Sequence, residues 1–187
     1  MKKPFVRTFF FCLMIGIFLA LTIPLSAEEE FRARLLTVGG PTQDKMVSIA
    51  ISIEDYTTVD EVRQFQQILQ KSGTAAFLKA FHKANKGVIR IKSARGLNVY
   101  INAAQSRKTE NGRKILVFAE RQSWDVGTSI RISGKYLYMA VELEIDNNWK
   151  VTGKFYKAAN IELSAKGTID IESYETPMML MGVRKVK

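Results

Sequence analysis

Apolar and polar residues alternate with a period of two over most of this chain, and one stretch alone changes to a helical period. Val47, Ile49, Ile51 and Ile53 alternate with Met46, Ser48, Ala50 and Ser52, which predicts a strand with one face in a core. Residues 35–38 predict a short strand before it, Gly39-Gly40-Pro41 a turn, and the charged residues 28–34 a frayed start. The period then lengthens. Thr58-Val59-Asp60-Glu61 has the spacing of a capping box, and Val59, Val62, Phe65 and Leu69 follow on one helical face with Arg63, Gln66, Gln67 and Lys71 opposite. Ser72-Gly73 predicts a stop, because glycine takes the left-handed conformation without steric cost. A second helix is expected from Thr74 to about Ala84, with Phe77, Leu78 and Phe81 on one face. Helices of roughly three turns are marginal alone in water, so both must lie on a sheet.

After Gly87 the period returns to two. Ile89 and Ile91, then Leu97, Val99 and Ile101, predict a hairpin around Ser93-Ala94-Arg95-Gly96. Asn111-Gly112 is a strong turn signal ahead of an apolar strand at 115–119, but a two-residue loop there sets Ile101 opposite Gln122 and leaves the register open. Residues 123–127 read as loop and 130–132 as a short strand. Leu137, Met139, Val141, Leu143 and Ile145 share a face, with Tyr136, Tyr138, Ala140, Glu142 and Glu144 on the other. A three-residue loop Asp146-Asn147-Asn148 sets Ile145 opposite Trp149, Leu143 opposite Val151, Met139 opposite Phe155 and Glu144 opposite Lys150, with Asn148 left-handed. A second such loop, Ala165-Lys166-Gly167, sets Leu163 opposite Ile169 and Ile161 opposite Ile171. A last strand at 178–183 follows Pro177, and Lys185-Val186-Lys187 trails into solvent. The pattern is that of an α+β fold: a mainly antiparallel β-sheet with one inserted pair of α-helices at about 58–84. Whether the sheet stays open or curls into a partial barrel is left open.

The first 27 residues have the form of a secretory signal peptide. Lys2, Lys3 and Arg7 precede an apolar run from Phe9 to Ile23, and Ala27 ends the segment before Glu28-Glu29-Glu30. An uncleaved anchor is the alternative, for which the apolar run is short. Cys12, the one cysteine, lacks the small residues that lipoprotein processing needs ahead of it. Cleavage leaves residues 28–187 as a single domain without cysteine, so disulfides, a thiol nucleophile and cysteine-bound metal are excluded there. The chain has 28 Lys and Arg against 18 Asp and Glu, and loss of the three leader cations lowers its net charge from +10 to about +7. Such a balance favours anionic partners, but a solvated surface is the stronger reading, since the Lys and Arg are scattered along strand faces and turns and it explains most of them.

Little in the chain carries catalytic chemistry. His82, the only histidine, is expected on a polar helix face between Lys79 and Lys83, and no Gly-x-Ser-x-Gly elbow supplies a nucleophile. One histidine without cysteine makes zinc improbable, and no glycine loop cradles a phosphate, so no metal and no cofactor is expected. Glu142 with Glu144, and Asp170 with Glu172, are the carboxylate pairs open to hydrolase chemistry, but Lys150 and Lys154 make the first an ordinary charged face. Asp146-Asn147-Asn148 lacks the spaced acids of a tight calcium loop. The candidate ligand-binding surface is aromatic: Tyr136, Tyr138 and Tyr156 on the face opposite the core, Tyr138 across from Tyr156, with Lys154 beside them. The alternative is that the helices cover these rings.

The helical pair, the hairpin around Asp146 to Trp149 and the closing run IESYETPMMLMGVR from Ile171 to Arg184 resemble a group of exported bacterial proteins of unknown function, over residues 45–184. The resemblance implies export and a single domain, and it transfers no functional residue. The resulting expectation is an exported, periplasmic or extracellular, non-enzymatic binding domain. Its partner would be an anionic, sugar or peptide component of the envelope, with no specific nucleic acid and no transmembrane segment after cleavage. An envelope hydrolase using carboxylates and a basic protein seated on anionic envelope surfaces are the alternatives.

Overall fold

The computed structural model describes residues 28–37, 45–92, 97–121 and 136–187. The expected leader, the turns at 39–41 and 93–96, the loop at 123–127 and the strand at 130–132 lie outside them. The described residues form β1 (Glu29–Thr37), β2 (Lys45–Ile53), α1 (Val59–Lys83), β3 (Gly87–Lys92), β4 (Leu97–Tyr100), β5 (Ala103–Thr109), β6 (Gly112–Glu120), β7 (Tyr138–Asp146), β8 (Val151–Leu163), β9 (Ile169–Tyr174) and β10 (Met178–Lys185). Every ladder is antiparallel, in the order β4-β3-β2-β1-β10-β8-β7-β6-β5, with β9 on β8. Among the described residues no ladder joins the ends of the path, so the described sheet is not closed, yet β4 and β5 are consecutive in the chain across Ile101 and Asn102.

The sheet curls strongly. Its inner face gives one buried cluster that includes Phe31, Ile51, Ile89, Val117, Val141, Phe155 and Leu180 from strands along its whole width. Four ladders separate β1 from β6, yet Arg113 Nη1 of β6 lies 2.9 Å from Glu29 Oε1 of β1. Tyr56 completes this inner cluster: its hydroxyl donates to Glu29 (3.2 Å) and accepts from Arg113 (2.8 Å). The outer face of the β5–β8 half carries a second cluster, in which Val62, Phe65, Phe77 and Phe81 of α1 pack on Leu116, Phe118, Tyr138, Tyr156 and Ile169.

The helix starts as its capping box requires, with Thr58 Oγ1 accepting from Glu61 N and Glu61 Oε2 accepting from Thr58 N. It forms one element to Lys83 instead of the expected pair, but the helical geometry is interrupted at Gly73, φ 78 and ψ 178, where the stop was expected, and the helix kinks there. Lys86, nearly buried, ties the helix start to β3 through Asp55 and Glu61, both at 2.8 Å. Burial opposes the Lys86 charge, but its hydrogen bonds to those two carboxylates outweigh burial and raise its pKa.

Four other expectations are corrected. Residues 28–34 are not frayed, because Phe31, Ala33 and Leu35 point inward and β1 is paired on both sides. The C-terminal tail does not trail into solvent: Lys185 belongs to β10, Val186 N donates to Glu30 O, and Glu30 N donates to Lys187 O. The turn after β5 falls one residue early, at Glu110-Asn111, with Thr109 opposite Gly112. Gly112 sits in strand at φ 142, where a side chain would strike Ile145 O.

The β7–β8 hairpin moves by two positions, to Ile145 opposite Val151 and Leu143 opposite Gly153. Asp146 accepts from Asn148 N (2.8 Å) and Lys150 N (2.9 Å), so the loop is Asn147-Asn148-Trp149 and Trp149 takes the left-handed position at φ 62. Gly153 makes this register possible, since a Cβ there would lie 2.9 Å from Leu143 Cδ2 and 3.0 Å from Leu180 Cδ1. The β8–β9 hairpin follows expectation, with Leu163 opposite Ile169, Ile161 opposite Ile171 and Gly167 at φ 80.

Two stability measurements check this account. Arg113→Met leaves the Glu29 carboxylate inside without its guanidinium and should cost roughly 2 kcal/mol in urea unfolding, less than a fully buried pair because Arg113 stays about a third exposed. Adding Glu29→Gln should restore part of that loss; a double variant as unstable as the sum of both singles would show that the two groups do not act as a pair. Trp149→Asn relieves the left-handed strain at a position 76 % exposed and should raise stability by about 0.5–1 kcal/mol.

Candidate functional site

The expected aromatic platform is covered. Tyr138 is 3 % exposed, with its ring 5.2 Å from Phe81 and 6.5 Å from Phe77 of α1. Tyr156 is 4 % exposed and makes an edge contact with Tyr174 at 5.0 Å, while Tyr136 is half-buried. The shifted register places Tyr138 opposite Ala159 and Tyr156 opposite Ala140, so the two rings do not face each other across the ladder. Lys154 turns outward, opposite Met179, and pairs with Glu142 at 3.0 Å. Burial pushes the Tyr138 and Tyr156 phenols above their ordinary pKa.

The carboxylates are engaged. Glu142 lies nearly buried between Lys154 and Lys114 (3.4 Å), and Lys114 also reaches Glu144. Asp170 takes a bidentate contact from Arg107 at 2.6 and 3.0 Å, which with the Gln105 side chain fastens β9 over β5. His82 is exposed and pairs with the Glu120 carboxylate. Among the described residues no three His, Cys, Asp or Glu are grouped to hold a metal.

Among the described residues, most of the outer face of β4-β3-β2-β1-β10 stands open beyond the reach of α1; Val88 and Ser52, paired at one end of it, are buried. Along β1 the inward Phe31, Ala33 and Leu35 force Arg32 and Arg34 outward; on β3 the inward Ile89 and Ile91 do the same for Arg90 and Lys92. Pairing then aligns them in two adjacent rows. One row reads Arg90, Ala50, Arg32, Arg184, and the next Lys92, Ser48, Arg34, Met181. With strands about 4.8 Å apart, Arg32 and Arg184 stand side by side, and the short side chains of β2 leave a trough roughly 10 Å wide between the cations of β1 and β3.

All five cations of these rows are exposed. Arg32 pairs with Glu30 at 2.7 Å and Arg90 donates to Ser52 Oγ at 2.9 Å; Arg34, Lys92 and Arg184 make no ion pair with a described residue. Like charges directly opposite on neighbouring strands destabilise a sheet, and Arg32 stands opposite Arg184, its pair with Glu30 offsetting part of that repulsion. The arrangement suits an extended anion: guanidinium groups bind phosphate oxygens in pairs, and the trough lets a headgroup approach several at once. Sequence inspection missed this face. The signal was the alternation Phe31-Arg32-Ala33-Arg34-Leu35, but Arg90 and Arg184, the cations that share a row with Arg32, come from 58 and 152 residues further along the chain.

Compared with known proteins, the chain matches no family model, no curated protein and no solved structure. No helix among the described residues is long and apolar enough to cross a membrane.

Burial of the phenols predicts an alkaline limit. Tyr56 and Tyr138 hold their protons well above the ordinary value of 10.0, burial being the largest cause for both. The unfolded chain releases those protons from about pH 10 while the fold retains them, so their contribution is complete below pH 10 and falls as pH rises beyond it. Tyr138→Phe should flatten the decline in unfolding free energy between about pH 9 and pH 11 relative to the parent; an unchanged slope would remove Tyr138 from the explanation.

Proposed function

We propose that this chain is an exported, non-enzymatic binding domain that seats an anionic, phosphate-bearing surface of the cell envelope on the outer face of β1, β2, β3 and β10. The observation that carries the reading is the two cation rows on a sheet face left uncovered by α1. The basic balance of the whole chain works in the same direction, and the leader-like first 27 residues support export. The burial of Tyr138 and Tyr156 disfavours the sugar- or peptide-stacking reading, since rings packed against Phe81 and Tyr174 offer no open face.

The energetics suit reversible attachment. A basic residue near an anionic membrane surface contributes about 1 kcal/mol, so five act together without fixing the protein permanently. Such attraction decays within a Debye length, about 8 Å at physiological ionic strength.

The purified protein should therefore pellet with phosphatidylglycerol vesicles and not with phosphatidylcholine vesicles at low salt. Raising salt from about 0.05 to 0.3 M should weaken binding at least tenfold. Combining Arg34→Ser, Arg90→Ser and Arg184→Ser should abolish the preference while leaving the unfolding midpoint near the parent value. Binding that ignores both salt and headgroup charge would sink the proposal.

A further inference from the structure

We infer that the tip of the β7–β8 hairpin is a membrane wedge, with the Trp149 indole and the Met179 side chain entering the boundary between headgroups and acyl chains of an anionic phospholipid bilayer. The inference rests on the basic-face reading and narrows its partner from any phosphate-bearing surface to a lipid one.

Trp149 occupies a place that the fold gives it no reason to hold. It is 76 % exposed, and it sits at φ 62, in a region that asparagine or glycine enters with less strain. The loop does not need the indole. Asp146 alone closes it, through its side-chain bonds to Asn148 N and Lys150 N and the backbone bond from Asp146 N to Lys150 O. The result is a stiff tip that presents an aromatic ring to solvent.

The surroundings continue that apolar point into the cation rows. Met179 and Met181 on β10 are 56 % and 43 % exposed, and Met181 stands opposite Arg34. Pairing of β10 with β8 ends at Leu180 opposite Gly153, and the bulge at Gly182, φ 59, then turns β10 away from the hairpin. The two diverging strands enclose an open cleft of about 640 Å³, whose walls bring Trp149 and Met179 together with Lys150, Arg184 and Lys185. Arg184 belongs to the first cation row.

An amphipathic indole and flexible thioethers bordered by Lys and Arg are the composition that settles at a bilayer interface, where the rings and thioethers leave water while the cations stay with the phosphates. A soluble polyanion would engage the cations and leave the indole in water. Charge complementarity thus places the membrane against this face, and the exposed apolar tip distinguishes a bilayer from a dissolved polymer.

The test compares the parent protein with Trp149→Asn, a variant expected to fold at least as stably, on vesicles mixing phosphatidylglycerol and phosphatidylcholine. The difference between their emission spectra isolates Trp149 from the only other tryptophan, Trp124. On binding, that difference should shift to the blue and be quenched by lipids brominated on the acyl chain, and the variant should bind roughly tenfold more weakly at equal salt. Equal affinity of parent and variant, with an unshifted difference spectrum in the bound state, would overturn the wedge and leave the basic-face reading standing. Absence of binding to these vesicles at low salt by the parent itself would overturn both.

Discussion

Among the described residues one helix serves ten strands, and the distribution of residues over the sheet follows from that shortage. A helix is about 10 Å across with its side chains and neighbouring strands are about 4.8 Å apart, so α1 can cover little more than two or three strands at once. Where it lies, both faces of the sheet are apolar: residues 115–119 of β6 are buried without a break, inward through Ile115, Val117 and Ala119 and outward through Leu116 and Phe118. Where it does not reach, charged side chains take outward positions: Arg32 and Arg34 on β1 and Arg90 and Lys92 on β3 meet water, while Val88 at the start of β3 is buried.

The curl itself is held from inside. A sheet whose opposite walls meet must fill its interior and finish it with groups that tolerate partial burial. Phe31, Phe155 and the isoleucines of β2 and β3 fill it. Glu29, Tyr56 and Arg113 finish one end, with the Arg113 guanidinium 5.4 Å over the Tyr56 ring and the Lys185 ammonium 3.6 Å from Glu29. These groups come from β1, the link between β2 and α1, β6 and β10, so the cluster joins elements that share no ladder except β1 with β10.

Much of this was legible in the chain, in identifiable places. The capping box at Thr58, the strand at Val47 to Ile53 and the hairpin over Gly167 each rest on local chemistry and stand as read. The β7–β8 register failed because side-chain parity is unchanged by a shift of two; what decides it is the space that Gly153 leaves for Leu143 and Leu180, a tertiary fact. The covering of Tyr138 and Tyr156 was one of two outcomes the pattern allowed, and the choice depended on which half of the sheet the helix takes. Of the cation rows only the alternation that puts Arg32 and Arg34 on one face of β1 was legible, since Arg32, Arg90 and Arg184 become neighbours only through pairing of strands distant in the chain.

The position of β10 has a consequence for how the molecule is made. Last of the described strands in chain order, it lies between β1 and β8, and it alone joins the block β1 to β4 to the block β5 to β9 along the ladder path. Until Met178–Lys185 has been synthesised, each block carries an unpaired central edge, and Phe31 and Phe155 have no strand between them. The fold therefore cannot be completed progressively from its beginning. It closes only once β10 is in place, and a chain lacking Met178–Lys185 would present two open strand edges of the kind that recruit other chains.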